Sequence, residues 1–232
     1  MRPELIAHRG ASRERRENTL PAFARALELG ADGIELDVHA THDGVVVVHH
    51  DFAVTAAEPP NPAIGGLINE LSAADVATFK LRDGSGVPTL REVMDLVGDR
   101  ATLYVELKGR GIEKLVIECL AQGKGRYAVH SFDHAAVKRA RGHARDMATG
   151  ILLSSYLVEP GAALQAAEAR DYWQSGDFVD RHLVSRIHAA GGRVIVWTVN
   201  RREHFDLLAE LGVDGVCTDD VRVAQAPHVG GK

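Results

Sequence analysis

Leu5-Ile6-Ala7-His8-Arg9-Gly10 (LIAHRG, residues 5–10) sets an apolar run against an imidazole, a guanidinium and a glycine at its end. The run has strand length, and the design returns along the chain as GIELDV at 33–38, VVVVHHD at 45–51 and TLYVELK at 102–108. Further apolar runs lie at 127–131, 148–153, 193–199 and 214–218, which with 5–8, 33–38, 45–50 and 102–107 make eight candidate strands. Between them, residues 19–29, 90–97, 112–121, 133–144, 180–190 and 202–211 carry apolar side chains at three- and four-residue spacing, and glycines such as Gly30, Gly98, Gly191 and Gly212 follow. Strands alternating with amphipathic helices predict an α/β fold built from βα units. A length of 232 residues suits a single α/β barrel domain over residues 1–232.

Three places interrupt the rhythm. Thr41-His42-Asp43-Gly44 joins two strands without a helix, as a hairpin or as an unusually short link between parallel neighbours. Residues 52–88, with Pro59, Pro60, Pro62 and Gly65-Gly66 and helical spacing only at 72–79, predict a small insertion lobe after the third strand. Residues 170–176 fit a strand or a loop, and the tail at 226–232 has no periodicity and is expected to fray.

Composition narrows the function. The 27 basic and 32 acidic residues leave a formal charge of −5, with no long basic run, which argues against nucleic-acid binding. Two cysteines cannot build a disulfide framework, and no signal-peptide h-region or membrane-length apolar stretch is present. The expectation is a cytoplasmic protein with no stable membrane insertion, monomeric or homodimeric. Its 12 histidines are a rich supply of groups that titrate near neutrality.

Most of the notable titratable residues fall at candidate strand ends, which a (β/α) barrel delivers to one rim. Glu35 and Asp37, two apart on a strand, project from one face, and Glu106 ends another apolar strand. Neighbouring carboxylates repel unless a proton or cation intervenes, so the three predict a divalent metal, with all-oxygen donors favouring Mg²⁺ or Ca²⁺. His8 and His50 end two strands, as acid–base cleavage of a phosphodiester requires, with His49 alternating to the other side. Arg9 is suited to clamp a phosphate.

Together HRG (8–10), ENT (17–19), GADGIELDV (30–38), THDG (41–44), HHD (49–51), VPTLREV (87–93), VELK (105–108), SFD (131–133), VWTVN (196–200) and GVDGVCTD (212–219) closely resemble the glycerophosphodiester phosphodiesterase family. The resemblance implies a (β/α)8 TIM barrel that uses a bound divalent cation to hydrolyse small-molecule glycerophosphodiesters to an alcohol and sn-glycerol 3-phosphate. It implies Glu35, Asp37 and Glu106 as metal ligands and His8 and His50 as general acid and base. Arg9 and Lys108 match its phosphate-contacting cations, and Glu17 and Asn18 match polar residues near metal and substrate. Trp197 is a candidate lining of the glycerol pocket.

The chain departs from the family pattern in lacking an Arg-Thr pair after His50-Asp51, in placing His130 where relatives often have Gln, and in placing Asp220 where Pro is common. These changes bear on the head group more than on the chemistry. The alternatives are a related barrel acting on lysophospholipids or another phosphodiester, and a non-catalytic phosphate-binding barrel.

Overall fold

The computed structural model describes residues 2–55 and 65–224. The Pro-rich stretch at 56–64 and the tail predicted to fray lie outside the described residues. The elements in chain order are β1 (Glu4–His8), α1 (Leu20–Glu28), β2 (Gly33–Ala40), β3 (Val46–Val48), β4 (Ala53–Thr55), β5 (Gly65–Leu67), α2 (Ala73–Thr78), α3 (Leu90–Val97), β6 (Thr102–Leu107) and α4 (Glu113–Leu120). There follow β7 (Arg126–Ser131), α5 (His134–His143), β8 (Ala148–Leu153), α6 (Pro160–Ala166), β9 (Asp171–Ser175), α7 (Arg181–Ala189), β10 (Arg193–Trp197), α8 (Arg202–Leu211) and β11 (Gly215–Thr218).

Strands β1, β2, β6, β7, β8, β9, β10 and β11 are parallel, and β1 pairs with both β2 and β11, so the ring closes. This is the predicted (β/α)8 barrel. One of its predicted strands is corrected. Residues 45–50 do not enter the ring; β3 turns back antiparallel on β2, with Val38 opposite Val48 and Ala40 opposite Val46. The five residues between β2 and β3 allow only this outcome, because a parallel crossover needs roughly a dozen residues. The vacant place is taken by β9, in the stretch left open as strand or loop, whose Trp173 fills the barrel interior. The lobe therefore follows the third strand in chain order but the second strand of the barrel.

Two layers of packing follow from strand alternation. Outward-facing Leu5, Ala7, Ile34, Leu36, Val105 and Val129 meet the helices, while Ile6, Tyr104, Ala128, Leu152, Trp173, Ile195 and Cys217 fill the inside. Gly33 makes room for that filling, since a Cβ there would stand 2.8 Å from the Tyr104 ring. The N-terminal end of the barrel is closed by charge: Tyr104 Oη and Arg193 Nη2 donate to Glu4 at 2.8 and 2.6 Å, and Arg170 donates twice to the fully buried Asp171. The lobe has its own apolar cluster of Val54, Ile68, Val76, Phe79 and Leu81, seated on Val47 of β3. Its short α2 carries a capping box between Ser72 and Asp75.

Candidate active site

The polar residues collect at the opposite, C-terminal end of the strands. His8, Arg9, Glu35, His50, Glu106, Lys108 and His130 line one pocket with Phe132, Trp173, Trp197 and Cys217, and its empty volume is about 480 Å³. Strand register explains the grouping: His8 pairs with Glu35, Asp37 with Glu106, and Glu106 with His130. Four neighbouring strands thus deliver their inward polar side chains at one height.

The turn after β1 bends sharply. Arg9 has φ +56° and Gly10 has φ +85°, and a Cβ on Gly10 would meet Ala22 at 2.8 Å. The turn points the Arg9 backbone N–H at Glu35 Oε2 (3.1 Å) and brings its guanidinium to Glu17 (3.2 Å) and Asp37 (3.0 Å). Asn18, also in the left-handed region at φ +57°, donates to Asp37 Oδ2 at 2.8 Å and accepts from the Asp37 N–H. Lys108 Nζ lies 2.8 Å from Glu106 and 3.4 Å from Asp37 Oδ1, which accepts no hydrogen bond.

These neighbours set the charges. Burial opposes ionisation of Asp37, but Arg9 and Lys108 outweigh it and hold the carboxyl below its ordinary range. Glu106 goes the other way: burial, with the charge of Glu35 beside it, pushes its pKa up to about 7. Glu35, Glu106 and His130, all buried, offer donor atoms within 4.8 Å of one another, a grouping able to hold a metal ion. Asp37 sits beside that group with its carboxylate engaged by Arg9, Lys108 and Asn18.

His8 Nδ1 lies 2.6 Å from Asp219 Oδ1, and its Nε2 lies 4.0 Å from Glu35. A carboxylate only accepts, so Nδ1 carries the proton and Nε2 faces the carboxylates. Burial disfavours the charged ring, yet the hydrogen bond to Asp219 and the charge of Glu35 raise its pKa above the ordinary value. Asp219 is itself fixed by Ser12 and by Asn200, whose Nδ2 donates to it at 2.6 Å. His50 is half-exposed at the pocket and donates Nδ1 to Asp51 at 2.8 Å, while its backbone carbonyl accepts from the buried His39. Burial lowers the His39 pKa, and the neutral ring can still donate from Nε2. His49 is buried and is outside the pocket lining.

Trp197 lines the pocket, donating Nε1 to the Trp173 carbonyl and meeting the half-exposed Phe132 edge to face at 5.5 Å. All ten residues singled out in the sequence gather at this end of the barrel or in direct contact with it. Asp219, Asn200 and His39 were not singled out, and His130 was noted only as a departure from the family pattern. Asp219 and Asn200 each follow the last residues of a strand, the one signal that would have found them; His39 and His130 lie within strands, and only the departure from the family pattern marks His130.

Comparison with known proteins agrees with the barrel fold. A model of the glycerophosphoryl diester phosphodiesterase family matches residues 8–223. The chain is 35% identical to a glycerophosphodiester phosphodiesterase of Caldanaerobacter subterraneus subsp. tengcongensis, over 95% of both chains, and 31% identical to one of Bacillus altitudinis, over 93% and 94%. Among solved structures it is similar to an Oleispira antarctica phosphodiesterase in complex with the product sn-glycerol-3-phosphate (TM-score 0.86, 27% identity, 95% of both chains). It is similar also to the Thermotoga maritima glycerophosphodiester phosphodiesterase (TM-score 0.81, 27% identity, 96% and 97% covered). The match to the family spans nearly the whole barrel, and the chain belongs to the glycerophosphoryl diester phosphodiesterase family.

Proposed function

We propose that the chain hydrolyses glycerophosphodiesters to an alcohol and sn-glycerol 3-phosphate at the C-terminal mouth of its barrel, with a divalent cation bound. One observation carries this reading: an imidazole oriented by a carboxylate, His8 on Asp219, stands 4.0 Å from a buried carboxylate cluster in one pocket. The donor set fits a cation. Glu35, Asp37 and Glu106 are buried together, Glu106 is driven to about 7 by burial and by Glu35, and Asp37 Oδ1 accepts no hydrogen bond. These three residues would hold the ion, and carboxylate oxygens alone favour Mg²⁺ or Ca²⁺. When bound, a divalent cation supplies positive charge against the oxygens of the phosphodiester.

The chain's own residues do the rest. Arg9 and Lys108 flank Asp37 from two sides and present cationic groups to a phosphate, offsetting charge that builds on it. His8 holds one proton on Nδ1 through Asp219, so Nε2 is the atom that exchanges a proton with substrate. His50, oriented by Asp51 and by the His39 contact to its backbone, serves the other side of the scissile bond. Glu17 and Asn18 fix Arg9 and Asp37, and Trp197 with Phe132 gives the glycerol or alcohol portion an apolar wall. The described residues hold no helix long and apolar enough to cross a membrane. Cys119 and Cys217 are both free thiols, which suits a reducing, cytoplasmic setting.

Release of glycerol 3-phosphate from glycerophosphocholine and glycerophosphoethanolamine, with and without EDTA, tests the reading. Turnover should vanish with chelator and return with added divalent metal. No turnover with any divalent metal would sink it.

A further inference from the structure

We propose that His130 is a further metal ligand beside the three carboxylates, so that the site is a mixed nitrogen and oxygen centre that binds Zn²⁺, and to a smaller degree Mn²⁺, more tightly than the carboxylates alone would. The inference rests on the reading that the barrel mouth binds a divalent cation.

His130 is 1% exposed and faces into the barrel from β7, opposite Glu106 in the β6–β7 ladder. A buried imidazole ordinarily satisfies its ring nitrogens with hydrogen bonds. Here Nδ1 has no partner, and Nε2 stands 3.7 Å from Glu35 Oε1, beyond hydrogen-bond reach. The ring is nonetheless held firmly: it stacks on Trp173 with centroids 4.3 Å apart and planes 6° from parallel. A fixed, desolvated and uncommitted imidazole beside two buried carboxylates is arranged as a ligand rather than as a structural donor.

Geometry agrees. Donor atoms of Glu35, Glu106 and His130 lie within 4.8 Å of one another, close enough for one ion to be shared among them. The chemistry then sets the preference. Carboxylates accept Mg²⁺, Ca²⁺ and Mn²⁺ alike, whereas imidazole adds most affinity for Zn²⁺, less for Mn²⁺ and little for the alkaline earths. One nitrogen among the oxygens therefore tilts the site toward the transition metals.

The test uses the full chain stripped by chelator and dialysed, with the metals themselves as probes. Isothermal titration of Mn²⁺, Zn²⁺ and Mg²⁺ is compared across wild type, His130→Gln and Glu106→Gln, with a thermal melt of each variant as the control for folding. His130→Gln should weaken Zn²⁺ by about tenfold or more, Mn²⁺ to a smaller degree and Mg²⁺ by less than about threefold. Pulsed electron paramagnetic resonance of the Mn²⁺-loaded wild type should show the nitrogen coupling of a directly bound imidazole, and this readout needs no variant. Absence of that coupling, or unchanged Zn²⁺ affinity in a folded His130→Gln, would overturn the assignment, as would weakened binding of inorganic phosphate with metal affinities intact. If wild type binds no divalent metal, the underlying reading fails; if Glu106→Gln loses metal while the nitrogen coupling is missing in wild type, only the role of His130 fails.

Discussion

His8 and Asp219 are 211 residues apart in sequence and 2.6 Å apart in space. The contact joins the end of β1 to the residue after β11, the two strands whose pairing closes the barrel. Closure of the fold and orientation of a catalytic candidate are thus one event: without the β1–β11 register the imidazole loses its hydrogen-bonded carboxylate.

Asp219→Asn should lower kcat/KM by roughly 10²-fold, within the range for a disturbed acid–base group. Because Asp219 raises the His8 pKa, the limb of the pH–rate profile set by His8 should move to lower pH, whether His8 acts as acid or as base. Stability should respond in a matching window. The His8 contribution is whole below its ordinary 6.5 and fades as pH rises through its raised value, while Asp219, held low despite burial by its bond to His8, contributes above its ordinary 3.8. The melting-temperature gap between wild type and Asp219→Asn should be widest between pH 3.8 and 6.5. A pH–rate limb that stays in place would contradict the role given to this pair.

Adjacent histidines should part company. His50 lines the pocket, whereas His49 is buried outside its lining and its N–H donates to the Asp37 carbonyl. His50→Ala should cost about 10²–10⁴-fold in kcat/KM with little loss of stability. His49→Ala keeps that backbone bond and should cost less than about tenfold in rate, with a measurable fall in melting temperature. The reverse ordering would transfer the acid–base role to His49.

Much of this site is legible from local pattern because a barrel sends every strand end to one rim, so LIAHRG, GIELDV and TLYVELK could be read separately and still point to the same place. What local pattern misses has a physical reason. The Val45–Val48 run looks like a barrel strand by apolarity alone; the four residues before it, too few for a crossover, decide otherwise. The β9 strand reads weakly because Asp171, Gln174 and Ser175 interrupt it, and its acid is polar for a reason set elsewhere, by Arg170 and Arg193. Helix α6 has few large apolar residues, with Pro160 and Leu164 as its buried positions. Asp219 and His130 gain meaning only from neighbours on other strands.

The two ends of the barrel should respond differently to loss of charge. Asp171 is fully buried at the N-terminal end, with Arg170 at 2.6 Å and Arg193 at 3.5 Å. Removing one member of a buried pair costs roughly 3–5 kcal/mol, but both arginines reach partly into solvent here, so Asp171→Ala should cost about 2–3 kcal/mol. Turnover per folded molecule should not change. Denaturant midpoints and kcat on the same preparations check this, and a loss of kcat comparable to that of His50→Ala would show that the two ends are linked.

At the other end, one substitution should move stability and metal affinity in opposite directions. Burial, reinforced by Glu35, raises the Glu106 carboxyl to about 7 from an ordinary 4.5. A carboxyl whose pKa rises on folding costs stability once the pH passes its unfolded value, and the cost grows until the folded value is reached. In chelator at pH 7, Glu106→Gln should therefore melt at or above the wild-type temperature, and the advantage should shrink toward pH 5, where the wild-type carboxyl is mostly protonated. With divalent metal present the order should reverse, because the variant loses a charged oxygen donor and about tenfold or more in affinity. Wild type should release protons on binding metal at pH 7, seen as a dependence of titration heat on buffer ionisation enthalpy, and Glu106→Gln should release fewer. A variant less stable than wild type in chelator at pH 7 would mean that the Lys108 contact to Glu106 at 2.8 Å outweighs the crowding of the two acids.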